Sequence, residues 1–124
     1  MTAHIIYTRI DSLAPITHSK VAIKHLIREQ FGYQGIIISD DLSMKALSGS
    51  LKNRAKKALY AGCDLVLHCN GDFHEMKSLI EGCSKLTEDS RNKLNKAEEM
   101  RKKNINNLNF DVSNAEFKLK NLLA

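Results

Sequence analysis

Three short apolar runs alternate with segments of helical periodicity in the first 70 residues of the chain. The runs are Ala3–Tyr7, Gly35–Ser39 and Asp64–Cys69, and none of them has the polar alternation of a strand with one exposed face. Continuous apolar runs of this length are typical of strands that are covered on both faces, as in a parallel sheet. The pattern therefore predicts three parallel strands.

The intervals between these runs have the spacing of amphipathic helices. Thr17–Gln30 repeats its apolar residues every three or four positions, with Thr17 or Ser19 as the N-cap. Leu51–Ala61 has an apolar inner stripe and follows a capping Ser50. The order strand, helix, strand, helix, strand implies right-handed crossovers. We therefore expect an α/β fold built from about three parallel βα units and followed by C-terminal helices.

The chain becomes more polar and helical in pattern after Asn70. Helices are predicted over Asp72–Gly82, from Thr87 to about Leu108, and over Ser113–Leu123. The middle helix carries few apolar positions. We therefore expect it to pack only loosely against the rest of the molecule.

Length and composition favour one ordinary globular domain. The 124 residues are 43% hydrophobic and 27% charged. The longest apolar runs are far shorter than the roughly 20 residues that a membrane-spanning helix needs, and no signal-peptide pattern opens the chain. These features predict a cytoplasmic protein that does not associate with membranes.

Charge and cysteine content add two expectations. The net charge of +5 is concentrated on the second predicted helix and just before it, without interleaved aromatic residues. This favours a solvated helix face over phosphate or nucleic-acid contact, so no nucleic-acid partner is expected. Cys63, Cys69 and Cys83 form no C-x-x-C pair, which is typical of buried structural thiols in a reducing compartment.

Ser39, Asp40 and Asp41 place two carboxylates directly after the second apolar run. The carboxyl ends of parallel strands carry the ligand site in barrels and in open α/β sheets. Adjacent side chains of an extended strand point in different directions, so one carboxylate can face a pocket while the other caps the next segment. A purely structural role for both carboxylates stays open at this point.

Other polar residues lie at predicted strand ends. His4 opens the first run, where a lone histidine is more often a satisfied core residue than a catalytic one. His68 and Cys69 end the third run, but no further ligands at metal-binding spacing accompany them. Asn70-Gly71-Asp72 is most simply a turn in which Asp72 caps the next helix, the alternative being a substrate rim. We therefore expect no metal site and no cofactor.

Three segments follow one another at a specific spacing: MTAHIIY at residues 1–7, FGYQGIIISDDLSM at residues 31–44, and AGCDLVLHCN at residues 61–70. Together they resemble the bacterial β-N-acetylglucosaminidases of glycoside hydrolase family 3, which act in peptidoglycan recycling. The resemblance is strong over about residues 1–85. The SDDLSM segment is its most specific part, and the tail is not diagnostic.

The resemblance implies a TIM-type (β/α)₈ barrel, of which residues 1–85 would supply the C-terminal portion, with residues 86–124 as a helical tail. It implies that Asp40 is the nucleophile of a retaining hydrolysis. Ser39 and Asp41 would orient or support Asp40, with Asp41 also among the substrate-binding residues, and Met1 would line the sugar pocket. The carbohydrate substrate would be terminal β-linked N-acetylglucosamine on peptidoglycan-derived muropeptides.

The sequence lacks a counterpart of the sugar-binding Lys-His and of the acid/base His-Asp pair of such enzymes. Without a general acid, hydrolysis falls by roughly 10²- to 10⁴-fold or more. Two hypotheses follow. The chain is either a nucleophile-bearing fragment that acts with a separately encoded N-terminal barrel half or by self-association, or a non-catalytic remnant of a split or truncated glycosidase gene.

Overall fold

The computed structural model describes residues 1–106 and 111–123. It contains a two-stranded parallel sheet with helices around it. The elements in chain order are a short 3₁₀ turn (Ile16–His18), a π-helix (Val21–Gln30), strand β1 (Ile38–Asp41), helix α1 (Leu51–Ala61), strand β2 (Leu65–Leu67) and helices α2 (Phe73–Ile80), α3 (Glu88–Asn106) and α4 (Val112–Leu122). All five predicted helices form over the described residues, with small changes at their ends; Leu108, the predicted end of α3, lies outside the described residues.

The sheet confirms the parallel pairing of the second and third predicted strands but shortens or shifts them. Ile38 pairs with Leu65 and Asp41 pairs with Leu67, so β1 has one more residue than β2 between the two pairs. The buried Ser39 fills this irregularity, because its hydroxyl accepts a hydrogen bond of 2.9 Å from the Leu67 N–H. A side chain therefore replaces a missing rung of the ladder at the carboxyl end of the sheet.

The predicted first strand, Ala3–Tyr7, is wrong: these residues are not part of the described sheet. The carbonyls of Ala3 and Ile5 instead accept hydrogen bonds from the N–H groups of Thr17 and Ile16. Strand propensity depends on the partners that are available, and here the turn before the π-helix takes the backbone groups that a strand would use. The three-unit partial barrel expected from the sequence is consequently not observed as three strands.

The predicted helix over Thr17–Gln30 forms with a wider π geometry. Ser19 serves as its cap, since the Ser19 hydroxyl accepts from the Ala22 N–H at 3.0 Å. At the other end, the Phe31 N–H donates to the Leu26 carbonyl, five positions back. A π-helix is rare and usually short, so this ten-residue example is a feature that periodicity did not predict.

Helix α1 packs on the sheet through its small residues, and the core of the molecule lies there. Ala55, Ala58 and Ala61 are fully buried. Ser50 caps its first turn as predicted, and Gly62 ends it in the left-handed conformation, with a φ of 118°. The helix therefore begins and ends where its local sequence directs it to.

Helix α1 also packs against the end of α2 at very short range. A Cβ atom on Gly82 would lie 2.1 Å from the Lys52 carbonyl oxygen, so only glycine permits this approach.

None of the helices in the described ranges is long and apolar enough to cross a membrane.

Candidate active site

Asp40 lies at the carboxyl end of β1 and is half-buried. Its Oδ1 accepts the N–H of the next residue, Asp41, at 2.9 Å. Within residues 1–106 and 111–123, no donor forms a hydrogen bond with its second oxygen, Oδ2. One carboxylate oxygen is thus held by the backbone while the other remains available as an acceptor or a nucleophile.

Asp41 is held much more completely than Asp40. Its Oδ1 accepts the N–H groups of Ser43 (2.9 Å) and Cys69 (3.2 Å), and its Oδ2 accepts the Ser43 hydroxyl at 2.6 Å. Burial by itself raises the pKa of Asp41, but these hydrogen bonds and the nearby His68 outweigh it and lower the pKa below its usual value. Asp41 therefore stays ionised and joins the carboxyl ends of both strands.

Ser39 supports the same strand end from inside the sheet. Its hydroxyl donates to the Asp40 carbonyl at 2.8 Å while accepting the Leu67 N–H. The structure thus brings Ser39, Asp40 and Asp41 together on one edge. Met1 is 83% exposed and lies beside Thr2, whose N–H is bound to the Ile38 carbonyl of β1.

His68 follows β2 directly, and its imidazole is buried between two carboxylates. Its Nδ1 lies 3.9 Å from Asp41 Oδ1, and its Nε2 lies 3.7 Å from Glu75 Oε2 in α2. Both distances exceed a hydrogen bond, and neither ring nitrogen has a hydrogen-bond partner within the described residues. Sequence reasoning considered His68 only as a metal ligand and did not anticipate its place between these carboxylates.

The turn after β2 forms as predicted, with Asp72 as the N-cap of α2. Its carboxylate accepts the Glu75 N–H at 3.0 Å, and that hydrogen bond lowers the pKa of Asp72. Asn70 adds a second link, because its side-chain amide donates to the Glu75 carboxylate. In the part of the chain that the structure describes, no three His, Cys, Asp or Glu side chains are grouped to hold a metal ion.

The three thiols differ in their surroundings. Cys63 is buried, Cys83 is half-buried and Cys69 is exposed, so the prediction of buried thiols is correct for Cys63 and wrong for Cys69. Burial raises the pKa of Cys63 to about 12. The buried thiol is therefore unreactive at neutral pH.

The basic residues around α1 divide into two groups. Lys52, Lys56 and Lys57 are exposed, as expected of a solvated face. Arg54 instead folds back, and its guanidinium donates to the carbonyls of Leu42 and Met44, just past the Asp40–Asp41 pair. Arg54 is therefore part of the scaffold of the site, which net charge alone did not suggest.

The comparison with protein families shows the family to which the chain belongs. The model of the glycosyl hydrolase family 3 N-terminal domain matches residues 1–102. The chain belongs to glycosyl hydrolase family 3. Because the family model describes an N-terminal domain, the match does not by itself support the expectation that residues 1–85 are the C-terminal portion of a barrel.

Curated relatives are similar to about half of this chain. β-Hexosaminidases of Nitrosospira multiformis and Haemophilus influenzae are each 49% identical to it over 72 residues, or 56% of this chain. The match spans 20% of each of those proteins, so the chain has the length of only a small part of them.

Solved family 3 structures resemble the fold. NagZ from Neisseria gonorrhoeae, in complex with N-trifluoroacetyl-D-glucosamine, superposes with a TM-score of 0.64 at 30% identity. That superposition covers 77% of this chain and 26% of NagZ. CbsA from Thermotoga neapolitana gives a TM-score of 0.62 at 28% identity, covering 78% of this chain and 24% of CbsA. The fold is accordingly that of an α/β part of a family 3 protein.

Proposed function

We propose that this chain is the nucleophile-bearing part of a retaining β-N-acetylglucosaminidase. The observation that carries the proposal is the asymmetry of Asp40. One of its oxygens is fixed by the Asp41 N–H, and the other has no donor among the described residues. A nucleophilic carboxylate needs this combination of a fixed position and a free oxygen. The relatives named β-hexosaminidase and the sugar-bound NagZ support a hexosaminide substrate.

The proposed reaction has two displacements at the anomeric carbon. Asp40 Oδ2 attacks that carbon, the bond to the leaving-group oxygen breaks, and a glycosyl ester forms on Asp40. The leaving oxygen takes a proton from a general acid that we expect outside residues 1–124. Water then attacks the same carbon, gives up a proton to the conjugate base of that acid, and releases Asp40 with net retention.

The neighbouring residues have supporting roles in this proposal. Asp41 and Ser39 hold the strand end that carries Asp40, and Met1 and Asp41 would line the sugar pocket. The three donors on Asp41 leave little capacity for a ligand, so its part in substrate binding is secondary to its part in holding the two strands together. Terminal N-acetylglucosamine on a muropeptide remains our proposed substrate.

Completion of the site is proposed to need a further polypeptide. Ile5, Ile6 and Tyr7 are each about half exposed, although their segment is one of the most apolar of the chain. An apolar segment of this kind is usually covered. A separately encoded N-terminal barrel half or a second copy of this chain would cover it. Residues 1–85 would then be the C-terminal portion of the barrel, and residues 86–124 would be the helical tail.

The rival proposal is a non-catalytic remnant of a split or truncated glycosidase gene. The short two-stranded sheet and the exposed apolar segment favour it for the isolated chain. A sheet this small is marginally stable without further partners. In either case we propose a cytoplasmic location, which suits the three free thiols.

The experiment uses two β-N-acetylglucosaminides that differ only in the leaving group. The dinitrophenolate of the first substrate departs without protonation, whereas the alkoxide of an alkyl glycoside needs a proton from the general acid. With Asp40 as the nucleophile, the purified chain should release dinitrophenol and gain the mass of one sugar on Asp40, and it should leave the alkyl glycoside intact. The Asp40→Asn variant should lose the release and the adduct.

Asp72→Asn is the matched control, because asparagine caps a helix as well as aspartate does. Its release of dinitrophenol should equal that of the parent chain. Dinitrophenol release that persists in Asp40→Asn would exclude Asp40 as the nucleophile. Absence of both release and adduct in the parent chain would mean that it cannot act alone, as expected of the remnant or of a fragment separated from its partner.

A further inference from the structure

The N-terminal segment contains three consecutive hydrogen bonds that end at the peptide of Asp41. Thr2 Oγ1 lies 2.9 Å from Thr17 Oγ1, and Thr17 Oγ1 lies 2.8 Å from His4 Nδ1. His4 Nε2 lies 2.8 Å from the Asp41 carbonyl oxygen. Thr2 and Thr17 are buried, so these groups depend on one another rather than on bulk water.

The direction of the three bonds follows from the groups that take part. A carbonyl oxygen only accepts, so His4 Nε2 must carry the proton that it shares with Asp41. In a neutral imidazole, Nδ1 is then an acceptor and takes the Thr17 hydroxyl proton. Thr17 Oγ1 in turn accepts from the Thr2 hydroxyl. The chain of bonds therefore runs one way, from Thr2 to the Asp41 carbonyl.

The backbone of Asp41 connects these hydrogen bonds to the Asp40 carboxylate. The Asp41 carbonyl also accepts the Met44 N–H at 3.2 Å, which closes the turn after β1. The N–H of Asp41 donates to Asp40 Oδ1. A shift of the Asp41 residue therefore moves the donor that fixes the Asp40 carboxylate.

The N-terminal segment depends on the His4 side chain for its hydrogen bond to the end of β1, because it forms no backbone hydrogen bond there. Ala3–Tyr7 is outside the described sheet, and Thr2 contributes one backbone bond to β1 at Ile38, three residues before Asp41. His4 is the residue of this segment whose side chain reaches the end of β1. Loss of its ring would leave that end attached to the N-terminal segment only at Ile38.

We propose that His4 is a positioning residue, which acts through the backbone of Asp41 to hold the Asp40 carboxylate, while Thr17 and Thr2 hold its ring through Nδ1. The proposal rests on the proposed function of Asp40. It differs from the ordinary interpretation of a core histidine in two respects. It assigns the Nε2–H tautomer to the ring, and it gives the ring a hydrogen-bond acceptor at the end of β1.

The first test is the tautomer of His4 in the full chain, read from imidazole nitrogen shifts by ¹⁵N NMR. The proposal requires a proton on Nε2 and a bare Nδ1. A proton on Nδ1 alone would overturn it, because such a ring donates nothing to the Asp41 carbonyl.

The second test compares His4→Gln with His4→Leu by ¹³C NMR titration of the Asp41 carboxyl. Glutamine can place an N–H near the position of Nε2, whereas leucine cannot donate. We expect the titration midpoint of Asp41 to rise in His4→Leu, because the turn that presents the Ser43 and Cys69 donors loosens, and to stay near the parent value in His4→Gln. An unchanged midpoint in a folded His4→Leu chain would overturn the proposal.

Thr17→Val covers the case in which His4→Leu does not fold. It removes the donor to Nδ1 with little change of shape. The Nδ1 resonance should therefore move toward that of a nitrogen without a hydrogen bond, while Nε2 keeps its proton, and the titration midpoint of Asp41 should rise by less than in His4→Leu. An Nδ1 resonance that is unchanged in Thr17→Val would exclude a hydrogen bond from Thr17 to His4. None of these readouts uses turnover, so failure of Asp40 as a nucleophile in the glycoside assay is distinguishable from failure of the His4 proposal.

Discussion

The two ends of the small sheet each hold a buried aspartate, and they hold it in different ways. At the amino end, Asp64 stands just before β2 and its side chain is 5% exposed. At the carboxyl end, Asp41 closes β1 and its side chain is 19% exposed. The difference in their partners separates a structural charge cluster from a candidate active site.

Asp64 is surrounded by cations and donors from the π-helix, from α3 and from the residue just before β1. Its oxygens accept the Ile37 N–H and the Ser90 hydroxyl, and they form ion pairs with Arg28 and Lys93. Burial by itself raises the pKa of Asp64, but these partners outweigh it and lower the pKa. Because Ser90 and Lys93 belong to α3, this cluster attaches the long polar helix to the sheet.

The carboxyl end contains the opposite arrangement. Asp41 is held by the hydroxyl and N–H groups of Ser43 and by the Cys69 N–H, and no lysine or arginine of the described residues forms an ion pair with it. Beside it, Asp40 keeps one free oxygen, and His68 has no hydrogen-bond partner within the described ranges. Groups without full pairing are poor for stability but are common where chemistry takes place.

This division of roles is known from barrels, in which the amino ends of the strands serve stability and the carboxyl ends carry the site. A cavity of about 390 Å³ lies at the amino end, beside Cys63, Asp64 and Ser90. A second cavity of about 490 Å³, beside His4 and Leu47, is larger, so cavity volume does not distinguish the two ends of the sheet. Hydrogen-bond accounting identifies the carboxyl end instead.

The largest predicted effect is on the Asp64 cluster. Asp64→Asn removes the charge that Arg28 and Lys93 share. Arg28 loses its ion pair and Lys93 keeps the one with the exposed Asp89, so the free energy of unfolding should fall by about 3 kcal/mol or more. Denaturant unfolding would measure it. The matched control is Glu81→Gln, which removes an ion pair with Lys52 that is half exposed and should change stability by less than about 1 kcal/mol. Equal effects of the two substitutions would contradict the comparison.

A smaller effect is expected at Asp41. Ser43→Ala removes the hydroxyl that donates to Asp41 Oδ2, so it should raise the pKa of Asp41 and lower the free energy of unfolding by about 1–2 kcal/mol at pH 7. The lowered pKa of Asp41 stabilises the fold above the ordinary aspartate pKa, and this contribution disappears as the pH falls through the folded-state value. The difference in free energy of unfolding between the parent chain and Ser43→Ala should therefore become smaller as the pH is lowered.

Ser48→Ala serves as the control for Ser43→Ala, because Ser48 is exposed. It should leave both the stability at pH 7 and its acid dependence unchanged. A gap between Ser43→Ala and the parent chain that stays constant down to pH 2 would show that the hydroxyl acts by packing and not on the charge of Asp41.

The smallest predicted effect has the opposite sign. His68→Leu replaces a buried ring whose nitrogens have no hydrogen-bond partner by an apolar side chain of similar size, and it should raise the free energy of unfolding by about 1 kcal/mol at neutral pH. His74→Leu, in an exposed position of α2, should have no such effect. A clear loss of stability in His68→Leu would mean that Asp41 or Glu75 pairs with the ring in solution.

Local patterns in the sequence predicted the helices well. Ser50 and Asp72 cap the helices they precede, and Gly62 ends α1, because each of these effects involves only a few neighbouring residues. The same reasoning placed Asp40 and Asp41 at a strand end. It did not predict the consecutive hydrogen bonds through Thr2, Thr17 and His4. Thr2 and Thr17 are 15 residues apart in sequence, and His4 and Asp41 are 37 residues apart.

The sequence by itself determined where most helices start and stop and which carboxylates stand at the end of β1, since short-range hydrogen bonds and periodicity decide these matters. The tertiary structure decided which runs become strands and what each polar group contacts. Ala3–Tyr7 is apolar enough for a strand, yet the turn at Ile16 and Thr17 takes its carbonyls. Such competition depends on which groups meet in space, and the order of residues does not contain that information locally.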